Sequence, residues 1–143
     1  MLSPFEQMCI YAVEEALART SIDTRAEDCM LILSTTKGNI EWLGQQPDER
    51  ISLHRSAALV AAHFGMSTQP LVISNACISG SLALITAARM LEAGTCRHAI
   101  VVGCDRFSSF VFSGFQSFHA LADGPCRPFD KDRTGINLGE AAA

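Results

Sequence analysis

Three short, continuously apolar runs constrain what this chain can fold into. The runs lie within residues 29–33, 70–74 and 98–103, of which the end residues Ser74 and His98 are polar. Uninterrupted apolar runs of this length are typical of strands that are buried on both faces of a parallel sheet. Helical patterns alternate with them over residues 3–19, 53–64 and 77–93. The alternation predicts an α/β domain with layers of helices on a mixed, mainly parallel sheet.

Local signals refine these elements. Ser3 and Glu6 form a capping-box pattern around Pro4, which predicts a helix start at this point. The pattern over 77–93 is apolar nearly all round, with only Arg89 and Glu92 charged, so we expect that helix to be buried on most sides. Residues 107–121 predict a loop and then a short helix from about Gly114. Gly44 and Pro47 interrupt the mixed segment 40–52.

Composition excludes several classes of protein. The chain of 143 residues is 48% hydrophobic and 18% charged, so it is not disordered and is long enough for one domain with a core. Its net charge is −4 and it has no cluster of Lys and Arg, which argues against nucleic acid and anionic membranes as partners. No run reaches the ~20 apolar residues that a bilayer span needs, and the acidic N-terminal segment is not a signal peptide.

Cysteine usage indicates a reduced, cytoplasmic protein. The six cysteines contain no CxxC pair, so no zinc site or other metal site is predicted, and nothing points to a cofactor. Most of these residues are expected to be small buried hydrophobic side chains. Cys77 differs, because it lies where an apolar run ends and a helical pattern begins, among the small residues Ala76, Ser79 and Gly80.

This junction has the logic of a nucleophile elbow. A sharp strand-to-helix turn exposes its nucleophile, and small neighbours let a substrate approach. The positive end of the helix macrodipole favours the thiolate, and free N–H groups of the first turn can hold a developing oxyanion. The residues therefore predict a nucleophilic Cys77. The spacing alone does not name a substrate, and a buried structural cysteine is the competing interpretation.

Two motifs resemble those of β-ketoacyl synthases, the condensing enzymes of fatty-acid and polyketide assembly. Residues 74–80 (SNACISG) are similar to the family's active-site segment, and residues 126–141 (CRPFDKDRTGINLGEA) to its RPFDxxRxGxxxGEGA signature. Here Ala142 follows Ala141 where the family usually has Gly-Ala after the glutamate. The resemblance covers essentially the whole chain, most sharply over 70–143. Thiolases share the fold and the cysteine but lack this tail.

The resemblance implies a thiolase-like layered α/β/α fold, with five-stranded sheets between helices. It implies that Cys77 takes an acyl group from an acyl carrier protein, and that a decarboxylating malonyl unit then attacks this group. On that basis the backbone N–H of Cys77 is one oxyanion donor. Asp130, Arg133 and Glu140 are expected to give structural support near the site, and charge pairing within the loop is the alternative role.

The family's two catalytic histidines come from its second half. The four histidines of this chain match neither of them: His54, His63, His98 and His119. Residues 1–143 are therefore interpreted as a β-ketoacyl synthase N-terminal domain that is incomplete at both ends, a half-domain unable to condense alone.

Two other functions are consistent with parts of the sequence. A non-catalytic partner or dimerisation module, similar to a chain-length factor, usually lacks the nucleophilic cysteine. A nucleotide-binding domain would need a phosphate-cradling GxGxxG or GxxxxGK[ST], which is absent. The resemblance also implies a homodimer or heterodimer that pairs edge to edge through the strand at 71–74.

Overall fold

A computed structural model describes residues 1–45 and 48–143, so Pro47 lies outside the described residues. Four helices and four strands alternate along most of the chain. In order they are α1 (Pro4–Leu17), β1 (Cys29–Ser34), α2 (Leu53–His63), β2 (Leu71–Ile73), α3 (Ser79–Glu92), β3 (His98–Asp105), α4 (Ser109–Ser117) and β4 (Ala141–Ala142).

One four-stranded sheet has the strand order β2-β1-β3-β4. The first three strands run parallel, with Leu33 opposite Val72 on one side and Val102 on the other, and β4 is antiparallel to β3. The prediction of a mixed, mainly parallel sheet is confirmed. The described residues supply four strands of the five that the resemblance implied.

Strand β1 separates two cores. Leu31 and Leu33 face α1 and α2, whereas Ile32 faces α3, and all three side chains are fully buried. The larger core comprises Phe5, Cys9, Ile10, Val13, Cys29, Leu31, Leu33, Ala57, Val60, Ala61, Ile100, Val102 and Cys104. Helices therefore cover both faces of the sheet, which gives three layers.

The predicted capping box of α1 is present. Ser3 Oγ accepts from the Glu6 N–H at 3.1 Å, and Glu6 Oε2 accepts from the Ser3 N–H at 2.7 Å. The Glu6 carboxylate is fully buried and also accepts from Ser56 Oγ at 3.1 Å and Asn39 Nδ2 at 3.3 Å. Arg50 Nη1 lies 3.5 Å from it. This cluster ties α1 to the start of α2.

Two burial predictions are wrong. Helix α3 packs only a narrow strip, Ala83 and Ala87, on the sheet, and its Leu84 remains 63% exposed with Ile85 and Leu91 also exposed. Strand β2, predicted as buried on both faces, lies at the sheet edge with Leu71 exposed. In both cases the described residues supply a neighbour on one side only.

The start of one helix and the presence of one strand also differ from the prediction. Helix α4 begins at Ser109, where the Ser108 side chain accepts from the Val111 N–H, five residues before the predicted start. Strand β4 has no local sequence signal, since it consists of two alanines. Within residues 1–45 and 48–143, no helix combines the length and apolarity that crossing a membrane requires.

Candidate active site

Cys77 lies on a tight turn between β2 and α3. A single 3₁₀ turn, Ala76–Ile78, carries it, and α3 begins only at Ser79, so the helix does not start at the cysteine as predicted. Ala76 has φ +46°, the left-handed region that residues with a Cβ seldom occupy. The strain and the sharp turn leave the Cys77 side chain exposed.

Ser79 braces this turn. Its Oγ accepts from the Asn75 N–H and donates to the Ala76 carbonyl, both at 2.7 Å, and the residue is only 4% exposed. The sequence pattern predicts Ser79 only as a small neighbour of Cys77. Its bracing role depends on the turn geometry, which no local pattern reports.

A cavity of about 500 Å³ opens beside Cys77. Its walls come from the loop after β1, the carboxyl end of β3, α4 and the segment before β4. They include Ser34, Thr36, Lys37, Asp105, Arg106, Phe107, Val111, Phe115, Leu138 and Gly139. A crevice at the carboxyl ends of parallel strands is a usual position for a ligand site in α/β proteins.

Asp105 fixes the loop after β1. Its Oδ1 accepts from the Thr35 hydroxyl and from the Thr36 N–H, each at 2.9 Å, and the Thr36 hydroxyl lies 3.2 Å from both carboxylate oxygens. Thr35 Oγ1 also accepts from the Gly38 N–H at 3.1 Å. Gly38 has φ +54°, and a Cβ there would meet Leu53 Cδ2 at 2.7 Å. These contacts set the position of one cavity wall.

Arg106 fixes a second wall. Its guanidinium pairs with Glu41, and its Nε lies 3.5 Å from Glu140 Oε2. The same Glu140 oxygen accepts from the Phe107 N–H at 3.3 Å. Glu140 therefore holds the segment before β4 against the end of β3, next to cavity residues Gly139 and Ala141.

Asp130 and Arg133 lie outside the lining of the cavity beside Cys77. They belong to a largely exposed loop, in which Arg133 Nη1 donates to the Asp130 carbonyl at 2.9 Å and Asp130 Oδ1 accepts from the Asp132 N–H at 2.7 Å. Neither lines the cavity. The structure thus brings Glu140 close to the cavity beside Cys77 and places the other two residues in a self-contained loop.

The remaining thiols and the histidines take no part in this site, with one exception. Cys104 is buried yet lines the cavity, while none of the four histidines does.

Burial changes the acidity of two other thiols. A hydrogen bond with Cys104, together with burial, raises the pKa of the Cys9 thiol far above its usual range. Burial also raises the pKa of the Cys29 thiol. Among the residues that the structure describes, no three His, Cys, Asp or Glu side chains are grouped to hold a metal ion.

The arrangement of the sheet and helices matches the thiolase-like fold of solved ketosynthases. A β-ketoacyl synthase from Burkholderia phymatum superposes with a TM-score of 0.79 at 20% identity, over 98% of this chain and 40% of that one. The ketosynthase from module 6 of the bacillaene synthase of Bacillus subtilis superposes with a TM-score of 0.80 at 17% identity. This superposition covers 98% of this chain and 26% of the ketosynthase.

The sequence itself places the chain in a family. Residues 1–143 match the β-ketoacyl synthase N-terminal domain, and the chain belongs to that family. Non-reducing polyketide synthase subA of Metarhizium robertsii is 26% identical over 97% of this chain and 7% of its own length. Nodulation protein E of Rhizobium leguminosarum bv. trifolii is 28% identical over 61% of this chain and 22% of its own length. The chain spans less than a quarter of these relatives.

Proposed function

We propose that this chain is the part of a condensing enzyme that carries its nucleophile, Cys77, and that Cys77 takes an acyl group from an acyl carrier protein. The observation that carries the proposal is the exposed thiol on a strained, braced turn that lines a cavity of about 500 Å³. A thiol that is held out from a turn into a cavity can reach a thioester.

The transfer is a thioester exchange. The Cys77 thiolate attacks the thioester carbonyl carbon, and the backbone N–H of Cys77 stabilises the oxyanion that forms. A new bond joins Sγ to the acyl carbon as the bond to the carrier sulfur breaks. The carrier thiolate leaves and takes up a proton, and the acyl group remains on Cys77.

Joining this acyl group to a malonyl-derived unit needs further groups. Decarboxylation produces a carbanion, which must be stabilised before it attacks the acyl-enzyme. None of the four histidines, all of which fall within the described ranges, lines the cavity. We therefore expect residues 1–143 alone to accept an acyl group without completing a condensation, and the two histidines that the family resemblance implies to lie elsewhere in a longer protein.

An acyl-transfer experiment tests the nucleophile. The protein is incubated with an acyl carrier protein that bears an isotope-labelled acyl thioester, and the label is located by peptide mass spectrometry. Cys77→Ala should abolish labelling, whereas Cys126→Ala, which removes the other exposed thiol, should retain it. Equal labelling of the wild type and Cys77→Ala would remove Cys77 from the mechanism.

A non-catalytic partner role is the second candidate. The ishigamide ketosynthase/chain length factor superposes with a TM-score of 0.79 at 22% identity, over 99% of this chain and 40% of that one. A partner of this kind would fold normally yet stay unlabelled in the experiment above. The exposed Cys77 favours the catalytic role.

We also propose that the protein is a dimer that pairs through β2. Leu71–Ile73 is bonded to β1 along one edge, and its other edge has no strand neighbour among the described residues. Unpaired strand edges favour pairing with another chain. Sedimentation equilibrium of the full-length protein should give the mass of a dimer, and a monomer at all concentrations would contradict the pairing.

A further inference from the structure

The cavity beside Cys77 contains one charge that the fold does not compensate. Three of its lining residues are charged: Lys37, Asp105 and Arg106. The Asp105 carboxylate accepts from Thr35 and Thr36, and Arg106 pairs with Glu41 and Glu140. Lys37 makes no hydrogen bond or ion pair with any residue in 1–45 or 48–143, although it is half-buried. A lysine in a cavity wall without a partner of opposite charge favours an anion.

The backbone of Lys37 is held in place. Its neighbour Thr36 is bonded to Asp105, and Gly38 is fixed by Thr35 and by its close approach to Leu53. The part of the cavity near α4 is apolar, with Phe107, Val111 and Phe115 in its wall. The cavity therefore offers an apolar surface, a thiol and a lysine carried on a fixed backbone.

From this arrangement we infer that Lys37 is the anion-recognising residue of the cavity and pairs with an anionic group of the thioester that reacts at Cys77. The inference rests on the proposed acyl transfer. Two parts of such a substrate offer the same chemistry, a carboxylate on the acyl group and the phosphate of a phosphopantetheine arm. Lys37 is then a specificity-determining residue that favours anionic over neutral thioesters of equal size.

Alkylation measures the charge effect without requiring the enzymatic reaction. Iodoacetate and iodoacetamide both react by displacement of iodide by the Cys77 thiolate, and differ in that the first is an anion. The rate with iodoacetate is divided by the rate with iodoacetamide at Cys77 of the full-length protein. This ratio is then divided by the same ratio for free N-acetylcysteine, which gives the normalised ratio. Lys37→Met should lower the normalised ratio about five-fold, as expected for loss of one nearby charge. Lys37→Arg and Lys131→Met, which alters the other lysine, should leave it unchanged.

The wild type gives a second measurement that does not depend on whether a variant folds. Raising NaCl from about 20 mM to about 1 M should lower the preference for iodoacetate at Cys77, because salt screens the attraction. A ratio that is insensitive to salt and equal in wild type and Lys37→Met overturns the inference.

Four thioesters distinguish the two sources of negative charge: butyryl and succinyl thioesters, each on pantetheine and on phosphopantetheine. Slower acylation of Lys37→Met by the succinyl pair alone identifies the acyl carboxylate, and slower acylation by the phosphorylated pair alone identifies the phosphate. Equal slowing with all four overturns anion recognition, since a structural role predicts that pattern. If no thioester acylates Cys77 but the alkylation ratio falls in Lys37→Met, the proposed function fails and the anion subsite stands.

Discussion

The backbone N–H of Thr36 donates a 2.9 Å hydrogen bond to Oδ1 of Asp105, across 69 residues of sequence. The bond joins the loop after β1 to the last residue of β3, so the two central strands are tied together at the end where Cys77 lies. The position of this cavity wall thus depends on the Asp105 carboxylate, which can act without contacting a ligand.

Replacing Asp105 with alanine should loosen that wall. Thr35 and Thr36 would lose the acceptor for their hydroxyl groups and for the Thr36 N–H. Hydrogen bonds to a charged group contribute about 1.5–3 kcal/mol each, and we expect a loss of about 2–3 kcal/mol in the free energy of unfolding. Urea denaturation measures it, and Asp123→Ala, at an exposed position, is the control. A loss no larger than that of the control would show that the carboxylate does not hold the loop.

Ser79→Ala should weaken the turn that presents Cys77. Both hydrogen bonds of the hydroxyl would be lost, at a cost of about 1–2 kcal/mol. The alkylation rate of Cys77 by iodoacetamide should change as well, because the thiol is no longer held in one orientation. Ser81→Ala is the matched control, since Ser81 is exposed on the same helix. Unchanged stability and reactivity in Ser79→Ala would contradict the bracing role.

The buried carboxylate of Glu6 should be the most sensitive position in α1. Its removal leaves the Ser3 N–H without an acceptor. The Ser56 and Asn39 side chains also lose a carboxylate acceptor, although both still donate to the Arg50 carbonyl. We expect Glu6→Ala to cost about 3 kcal/mol or more, because hydrogen bonds to a charged group contribute about 1.5–3 kcal/mol each and the carboxylate accepts three of them. Glu15→Ala, on the same helix with its side chain 78% exposed, should cost less than about 0.5 kcal/mol. Comparable losses for the two variants in urea denaturation would argue against the network.

Thiol titration should separate the cysteines into two groups. Cys77 and Cys126 are exposed and the other four are buried, so a disulfide reagent should modify two thiols in the folded chain and six in denaturant. Rapid reaction of more than two thiols under native conditions would contradict the burial.

The same burial gives a pH dependence. The pKa values of the Cys9 and Cys29 thiols are raised in the folded chain, by the hydrogen bond with Cys104 and by burial respectively. Above the unfolded thiol pKa of about 8.5, the unfolded chain releases protons that the folded chain retains. Stability should therefore be intact below that pH and fall as the pH rises. A Cys29→Ala variant should show a shallower fall, and an identical slope would rule out this contribution.

Leu84 tests whether the outer face of α3 is covered in a longer protein. It is 63% exposed here, so Leu84→Gln should change the stability of the 143-residue chain by less than about 0.5 kcal/mol. The same change should lower the melting temperature of the full-length protein by several degrees, because a buried glutamine lacks hydrogen-bond partners. Equal effects in the two forms would mean that Leu84 is not covered.

The strands and the turn that exposes Cys77 could be predicted because their signals are local. Continuous apolar runs identified β1 and β3, and small residues after the second run identified the turn at Cys77. Burial could not be predicted in the same way. The apolar sequence of α3 predicts burial on most sides. The described residues, however, cover only the strip at Ala83 and Ala87.

Residues that act over long sequence distances left no local pattern. Asp105 reaches Thr36 and Arg106 reaches Glu41 only after β1 and β3 have paired. The aromatic and serine content of α4 lacks a clear helical period, and β4 forms because β3 offers an edge to two alanines. These elements depend on tertiary context more than on propensity.

Strand β1 is apolar on both faces, so moving it by one residue would still bury hydrophobic side chains on each side. Its hydrophobic pattern therefore does little to select a register. Polar contacts at the two ends of β1 hold the observed register. The Thr68 hydroxyl donates to the Cys29 carbonyl at 2.6 Å, and the Thr35 N–H donates to the Ile73 carbonyl at 3.2 Å. A slip of one residue would carry Lys37 about 3.3 Å along the sheet relative to Cys77. The position of Lys37 relative to Cys77 therefore depends on contacts at the two ends of β1, one from the Thr68 side chain and one from the Thr35 backbone.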